Sequence, residues 1–360
     1  LDRGEPGGEA SSAAAGMLAP APEMSEPGPF LDLAMRSLDL WPEFAAGVEE
    51  ASGMSCGLRS SALLHVAWDQ DEAAVLQERL EWQRAAGAEV EWLDGAATLE
   101  AEPALAGSPA GAACFTRAGS VDGRAAVAAL VAALRTRDVE IRTGAAVERG
   151  WPGGAPRVRG GEAVRGRAVV FAAGAWTGQL VRPWEGVSVP IRPLRGQLVA
   201  LEGVEPRPQS IVYGGPHGYA VPRDDGTVLV GATEEDAGFD AAPTTEATAR
   251  LVEAAGRLLR GSGAATKVTP RAGLRPGTPD GLPVLGEGEP TAFGSRLLVA
   301  AGHHRNGVLL APATAAGIAD MVLDRRRPAG WQAFAPGRGR AAATPSGHAG
   351  HRHGEHAASQ

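Results

Sequence analysis

Arg275 stands in the string Arg271-Ala272-Gly273-Leu274-Arg275-Pro276-Gly277, between an expected strand and a Pro-Gly loop. A guanidinium there can clamp a carboxylate through two parallel charge-assisted hydrogen bonds, which lysine cannot match. For an arginine taken at random, a solvated surface side chain is much the commoner reading. Tyr219 is one of only two tyrosines and lies in His217-Gly218-Tyr219-Ala220-Val221-Pro222-Arg223. Its hydroxyl can orient a carboxylate or an amine, although a half-buried sheet tyrosine is the commoner reading. A third string, Ala300-Ala301-Gly302-His303-His304-Arg305-Asn306-Gly307-Val308-Leu309, leads an apolar strand through a glycine-bracketed polar turn into a helix. Backbone N–H groups in such a turn can hold the anionic or electron-accepting edge of a cofactor. A plain capping turn explains that string about equally well. Finally, Leu1-Asp2-Arg3 followed by Ser11-Ser12-Ala13-Ala14-Ala15-Gly16-Met17 reads as a strand end and a small-residue loop. An acidic residue at such a strand end can bind the ribose of an adenine dinucleotide.

These strings need elements to position them. Phe30 to Glu50 has helical spacing, with Pro42 expected to kink or restart it. Ala62 to Trp68 reads as a strand. Asp71 is expected to cap a helix that Gly87 ends. Glu89 to Leu93 reads as a strand and Ala96 to Leu105 as a short helix. Gly119 to Gly123 is expected as a turn, with Asp122 capping a helix over Arg124–Arg137. Val139–Arg142 and Ala168–Ala172 follow as strands. The second is a continuous apolar run, as in parallel strands buried on both faces. It leads into Ala173-Gly174-Ala175-Trp176, a second small-residue turn of the phosphate-facing or flavin-facing kind. From residue 187 to 240 short strands alternate with Gly, Pro and Asp turns, which predicts an antiparallel sheet in a second lobe. Thr244–Leu259 is a helix, Leu297–Ala301 a last buried strand, and about Leu310–Leu323 the closing helix. Gly261-Ser262-Gly263 follows a helix rather than a strand and is read as a linker. Beyond Gly337 the Ala, Gly, His and Arg content predicts disorder. The tail histidines are read as solvated rather than metal-binding.

Composition narrows the function classes. Charged residues are 21% and hydrophobic ones 44% of the 360 residues, the balance of a globular chain large enough for two lobes. The net charge of −8 provides no basic field for nucleic acid. No apolar run in the sequence approaches the roughly 20 residues of a membrane span. Cys56 and Cys114 are the only cysteines, too few for a disulfide framework or zinc cluster, and a cytoplasmic enzyme fits best.

Taken in order, the strings resemble the D-amino-acid oxidase-like flavoproteins, and most closely their glycine oxidase branch, tied to thiazole (thiamine) biosynthesis. The resemblance rests on Leu1 to Pro20, Pro193-Leu194-Arg195-Gly196-Gln197, Tyr219 to Arg223, Val230-Gly231-Ala232-Thr233, Ala272 to Pro276 and Gly302 to Thr314. It implies an α/β chain whose Rossmann-like FAD lobe (1–57, 118–191 and 270–335) interleaves with an antiparallel-sheet substrate lobe (58–117 and 192–269), with 336–360 as a tail. It further implies FAD as cofactor, with a small amino acid and O2 as reactants. Glycine, sarcosine or small D-amino acids would be oxidised at the C–N bond, with hydrogen peroxide as co-product. No nucleic acid or membrane partner is implied, and a homo-oligomer is left open. Arg275 would be the carboxylate clamp and Tyr219 its hydroxyl partner, with Arg305 and His217 at the same mouth. Asp2 and Arg3 would meet the adenosine. Ser11, Ser12, Ala15, Gly16 and Met17 would run along the pyrophosphate and ring, and Val147 would stand on the adenine side. Ala172, Ala173 and Gly174 would form the second turn. Gly302, His303, Asn306, Gly307, Val308 and Leu309 would cradle the ring's pyrimidine edge.

Two departures qualify the resemblance. Glu234 stands where some relatives place an apolar pocket residue, which bears on substrate size. The glycine fingerprint that should precede Leu1 is not in the chain, and the first residue is not Met. The expectation is therefore an N-terminally shortened chain that holds FAD weakly or not at all, with a sarcosine oxidase-like or D-amino acid dehydrogenase-like enzyme, or an inactive fragment, as alternatives.

Overall fold

The computed structural model describes residues 1–338 except 25, 149–155, 162, 165, 182–188, 289–295 and 325. Its strands are β1 (Met17–Leu18), β2 (Leu58–Ala67), β3 (Val90–Asp94), β4 (Gly111–Val121), β5 (Ala168–Phe171), β6 (Arg192–Glu202), β7 (Ile211–Tyr213), β8 (Tyr219–Pro222), β9 (Val228–Gly231), β10 (Lys267–Gly277), β11 (Val284–Glu287) and β12 (Arg296–Ala301). The helices are α1 (Ala10–Ala13), α2 (Pro20–Glu23), α3 (Pro29–Ser52), α4 (Gln70–Ala85), α5 (Gly95–Ala101), α6 (Gly123–Arg135), α7 (Thr177–Val181), α8 (Thr245–Leu258) and α9 (Gly307–Asp324). A large sheet runs β1-β4-β2-β7-β8-β9-β6-β10, with β3 also against β4, and a small sheet runs β11-β12-β5. The chain is therefore mixed α/β, as expected.

Period-2 alternation gives the large sheet two apolar faces. Leu64, Val66, Val199, Leu201, Val228 and Val230 face α8, whose Leu251, Ala255 and Leu258 complete that core. Leu63, Leu198, Ala200, Ile211 and Leu229 share the other core with Ala15 and Ala19 of the loop that carries β1. The sheet is not wholly antiparallel, because β2 and β7 pair in parallel. Its ladders also cross the expected lobe boundaries. Most of β10 lies in a segment assigned to the cofactor lobe, yet it pairs with β6 along eleven residues, and β4 itself runs unbroken across the boundary at 117/118.

The third core packs α3, α6 and α9 on the small sheet. Pro42 does not interrupt α3, which runs unbroken for 24 residues. Pro42 lies on the exposed side, while Leu38, Trp41, Ala45 and Val48 keep the opposite face packed. Tertiary packing thus outweighs the lost N–H. In α9, Pro312 interrupts the helix ladder, and α3 supplies replacement partners. Trp41 Nε1 donates to the Leu309 carbonyl at 3.1 Å, and Ala313 N donates to Ser37 Oγ at 3.2 Å. The helical stretch His304–Leu323 does reach 20 residues of apolar character, contrary to the expectation that no run approaches that length, and half of it is buried in the protein.

Several local expectations change. Asp69, not Asp71, caps α4 by accepting from Glu72 N at 2.9 Å. Gly119 to Val121 is not a turn, because β4 continues through it to pair with β2. Val139–Arg142 forms no ladder strand, although Arg142 O accepts from Asp2 N at 2.9 Å. β5 pairs in parallel with β12 but is not buried on both faces, since Val170 is 40% exposed. The tail begins later than expected. Arg338 pairs with Asp280 at 2.7 Å and donates to three carbonyls, so residues 336–338 are anchored. The rest of the tail, 339–360, lies outside the described residues.

Asp122 caps α6 as expected, accepting from Arg124 N at 2.8 Å and Ala125 N at 3.1 Å. Replacing it with alanine orphans two helix N–H groups. The expected cost is about 1 kcal/mol, read as a lower urea midpoint with an unchanged slope.

Candidate functional site

One pocket of about 350 Å³ is lined by segments far apart in sequence: α1 to β1, Gly174, β6, Tyr219, β10 and the turn into α9. Its floor is the loop Ala10 to Met17. Small residues are required there because the loop lies between two layers. A Cβ on Gly273 of β10 would come within 3.0 Å of Ala13 Cβ and 3.2 Å of Ala10 Cα, and one on Gly123 within 2.3 Å of the Ser11 carbonyl. Gly16 takes a φ of +64°. Buried Arg223 ties the loop down by donating Nη2–H to the Ala15 carbonyl at 2.7 Å, and Arg124 Nε donates to the Ser12 carbonyl at 2.9 Å.

The far wall is the turn from β12 into α9. Gly302 sits at φ +76°, His304 at φ +50°, and no side chain caps the helical turn that His303 opens. No side chain caps the turn at Ala173 either. Backbone N–H groups at both ends of the pocket are therefore left for a ligand. His303 Nε2 lies 3.1 Å from Thr314 Oγ1, and desolvation pushes the His303 imidazole down to about 4, so it is neutral at physiological pH.

The remaining wall carries the polar side chains. Arg275 on β10 donates Nη1–H to the Thr233 carbonyl at 2.8 Å. Its guanidinium lies against Gly196 of β6, where a Cβ would come within 2.3 Å of Cζ. Tyr219 on β8 is accommodated in the same way by Gly231, whose Cβ would meet the phenol oxygen at 2.4 Å. Desolvation pushes the Tyr219 hydroxyl up to about 12, so it stays a neutral donor. Arg305 reaches Glu23 of α2 with Nε–H at 2.6 Å from the carboxylate. At the rim, Glu234 lies 2.8 Å from His304 Nε2 and 3.8 Å from Arg275 Nη1.

The structure thus brings Arg275, Tyr219, Arg305, Ser11, Ala15, Gly16, Met17, Ala172, Gly174, His303, Asn306, Gly307 and Val308 to one pocket. The other candidates stand outside its lining. Asp2 turns its carboxylate to its own chain, accepting from Gly4 N at 2.9 Å. Arg3 stacks on Trp176 at 3.7 Å from the ring centroid. His217 does not line the pocket and faces Glu72 at 3.7 Å. Val147 joins the core of Phe171 and Val181. Ser12 turns its hydroxyl to the Glu9 carbonyl at 2.8 Å. Ala173 and Gly302 shape their turns, and Leu309 is buried under α3. Glu23, Gln197, Gly196 and His304 line the pocket without having been singled out. Glu23 follows Pro20-Ala21-Pro22, a segment with no periodicity to mark it. Gly196 and Gln197 did lie inside a string that carried the resemblance.

The family described as FAD dependent oxidoreductase (DAO) matches residues 1–321. The chain belongs to this family. It is an FAD-dependent oxidoreductase of the DAO type, with FAD as its cofactor. It is 35% identical to a glycine oxidase of Geobacillus kaustophilus over 332 residues, covering 89% of this chain and 85% of that protein. It is 33% identical to the bifunctional protein ThiO/ThiG of a Synechocystis species, covering 91% of this chain and 48% of that longer protein. The crystal structure of glycine oxidase from Geobacillus kaustophilus superposes with a TM-score of 0.86 at 34% identity, covering 94% of this chain and 90% of that one. The DAO-type pocket suits the cofactor on its own terms. A small-residue floor leaves room for a flat ring, and the uncapped turns at Gly174 and at His304–Gly307 present N–H groups to electron-rich edges.

Beside the pocket, His65 on β2 is buried edge-on to Tyr213, with ring centroids 4.7 Å apart. Burial, helped by the Arg79 charge, pushes His65 down to about 4 from the usual imidazole value of 6.5. Between those two values the unfolded chain binds more protons than the folded one. Stability is therefore full above about pH 6.5 and falls as the pH drops toward 4. We expect a melting temperature that is flat above pH 6.5 and declines below it. His65→Phe should flatten part of that decline.

Proposed function

We propose that this DAO-type enzyme oxidises glycine or another small amino acid to its imino acid, with thiazole biosynthesis as its setting. The imine hydrolyses, so that glycine, O2 and water yield glyoxylate, ammonia and hydrogen peroxide. One observation carries the reading. A guanidinium and a desolvated phenol, Arg275 and Tyr219, line the same pocket as the uncapped turn before α9. The names of the relatives, glycine oxidase and ThiO/ThiG, support it.

Arg275 supplies the charge for the substrate carboxylate. Thr233 O occupies one Nη1–H, which fixes the guanidinium plane and leaves its other N–H groups for bidentate binding. Tyr219 is protonated throughout the physiological range and donates a hydrogen bond to the same anion. FAD, when bound, would supply the two-electron acceptor chemistry, with oxygen as the final oxidant. The protein's task is to hold the α-carbon against that acceptor and keep water out, and the Ala and Gly lining permits close approach. The test is a panel of glycine, sarcosine and D-proline offered to the purified flavoprotein, with peroxide release measured. Oxidation of one of these with stoichiometric peroxide is the expected result. Flavin reduction without peroxide would point to a dehydrogenase, and no reduction by any of them would overturn the reading.

A further inference from the structure

The pocket holds a charge that the mechanism above leaves unused. Glu23 is the one acidic residue lining the pocket among the described residues. Its side chain is only 8% exposed, whereas that of its partner Arg305 is 48% exposed. Burial raises Glu23 above the usual carboxylate range, and the charges of Arg305 and Arg275 pull it back. Tyr213 of β7 and Tyr219 of β8 are the other titratable groups that feel it. A desolvated carboxylate is costly to maintain, and a single half-exposed arginine is weak compensation. Such a group facing a pocket is a candidate for a functional role.

The substrate supplies the matching charge. An α-amino acid enters as a zwitterion, with carboxylate and ammonium on the same carbon. Arg275 takes the first, and both arginines of the pocket repel the second. An ammonium nitrogen has no lone pair, so its C–N bond cannot become an imine until one proton leaves. We propose that Glu23 receives the substrate ammonium, removes one proton from it and so delivers the free amine for oxidation. This inference rests on the amino acid oxidation proposed above. In the step one N–H bond breaks and one O–H bond forms on Glu23, and the nitrogen keeps the electron pair. The Arg305 guanidinium, 2.6 Å from Glu23, favours the carboxylate form against the cost of burial before substrate arrives. The proton passes to solvent when product leaves.

The test uses the full chain purified with its FAD and the best amino acid of the panel. Glu23→Gln keeps the size of the side chain and removes the charge. The expected deficit in kcat/KM at neutral pH is about 100-fold. It shrinks toward parity as the pH rises through the substrate's own ammonium pKa, where free amine enters unaided. Acetate has a carboxylate and no amine, and its affinity, followed by the change in flavin absorbance, should stay within about twofold of wild type. A deficit of the same size at every pH, or a parallel loss of acetate affinity, would overturn the assignment. If Glu23→Gln does not retain flavin, Glu23→Ala, which also removes the carboxylate, takes its place, with the same two measurements supporting or overturning the assignment in the same way. A wild type that oxidises no amine sinks the proposed function and this inference together. An active wild type with a pH-independent deficit in the variant sinks this inference alone.

Discussion

Arg275→Lys lowers kcat/KM for the amino acid substrate by about 100-fold, with most of the loss in KM. Two parallel N–H···O bonds to the carboxylate become a single point contact from a mobile ammonium. A factor of 100 corresponds to about 2.7 kcal/mol, within the range for a desolvated charge-assisted pair. The lysine also lacks the planar group that lies on Gly196 and the Nη1–H that Thr233 O accepts. It is therefore not held in place before substrate arrives. Fold and flavin content should be unchanged, because the ladder between β10 and β6 runs through backbone groups. Steady-state kinetics beside a flavin-to-protein ratio check this, and wild-type KM in the lysine variant would remove Arg275 from the carboxylate.

The parts of this architecture legible in the sequence are those that local rules dictate. Asp122 caps its helix because a short acceptor side chain precedes an apolar periodic run. The run Leu297–Ala301 is a strand because it is short, β-prone and closed by Gly302. What escaped is long-range. Pro42 reads as a break when considered alone, and only the packed face of α3 against α9 and its neighbours explains why the helix continues. Val139–Arg142 had the composition of a strand, yet it is held through Asp2 rather than by a ladder. At the site, arginine and tyrosine announce their chemistry by type, so Arg275, Tyr219 and Arg305 could be singled out. His217 could also be singled out by type, but its position in a short turn after β7 aims it at Glu72. Glu23 was illegible for the opposite reason. Nothing in Pro20-Ala21-Pro22-Glu23 distinguishes it from a surface glutamate until the turn before α9 folds against it.

Gly16→Ala should be the most damaging single methyl addition to the cofactor floor. Gly16 sits at φ +64°, where an L side chain is strained, and its Cβ would lie 2.0 Å from the Val121 carbonyl oxygen. The neighbours cannot give way. Gly16 O accepts from Val121 N at 2.9 Å, Ala15 O is held by Arg223, and Met17 is already paired with Ser120 in β1. Moving Val121 would drag Asp122 from the cap of α6. The clash therefore displaces the loop into the pocket, where the ring must lie. The expected cost is about 2–4 kcal/mol of stability, together with a fall in bound flavin to roughly a tenth of wild type or less. Gly4→Ala is the matched control, because a Cβ there meets nothing within 4 Å. Thermal melts and the flavin-to-protein absorbance ratio of the two variants decide the matter. If Gly16→Ala melts with the wild type and carries a full complement of FAD, the floor is more pliable than its hydrogen bonds allow, and the ring does not depend on the path of the backbone at Gly16.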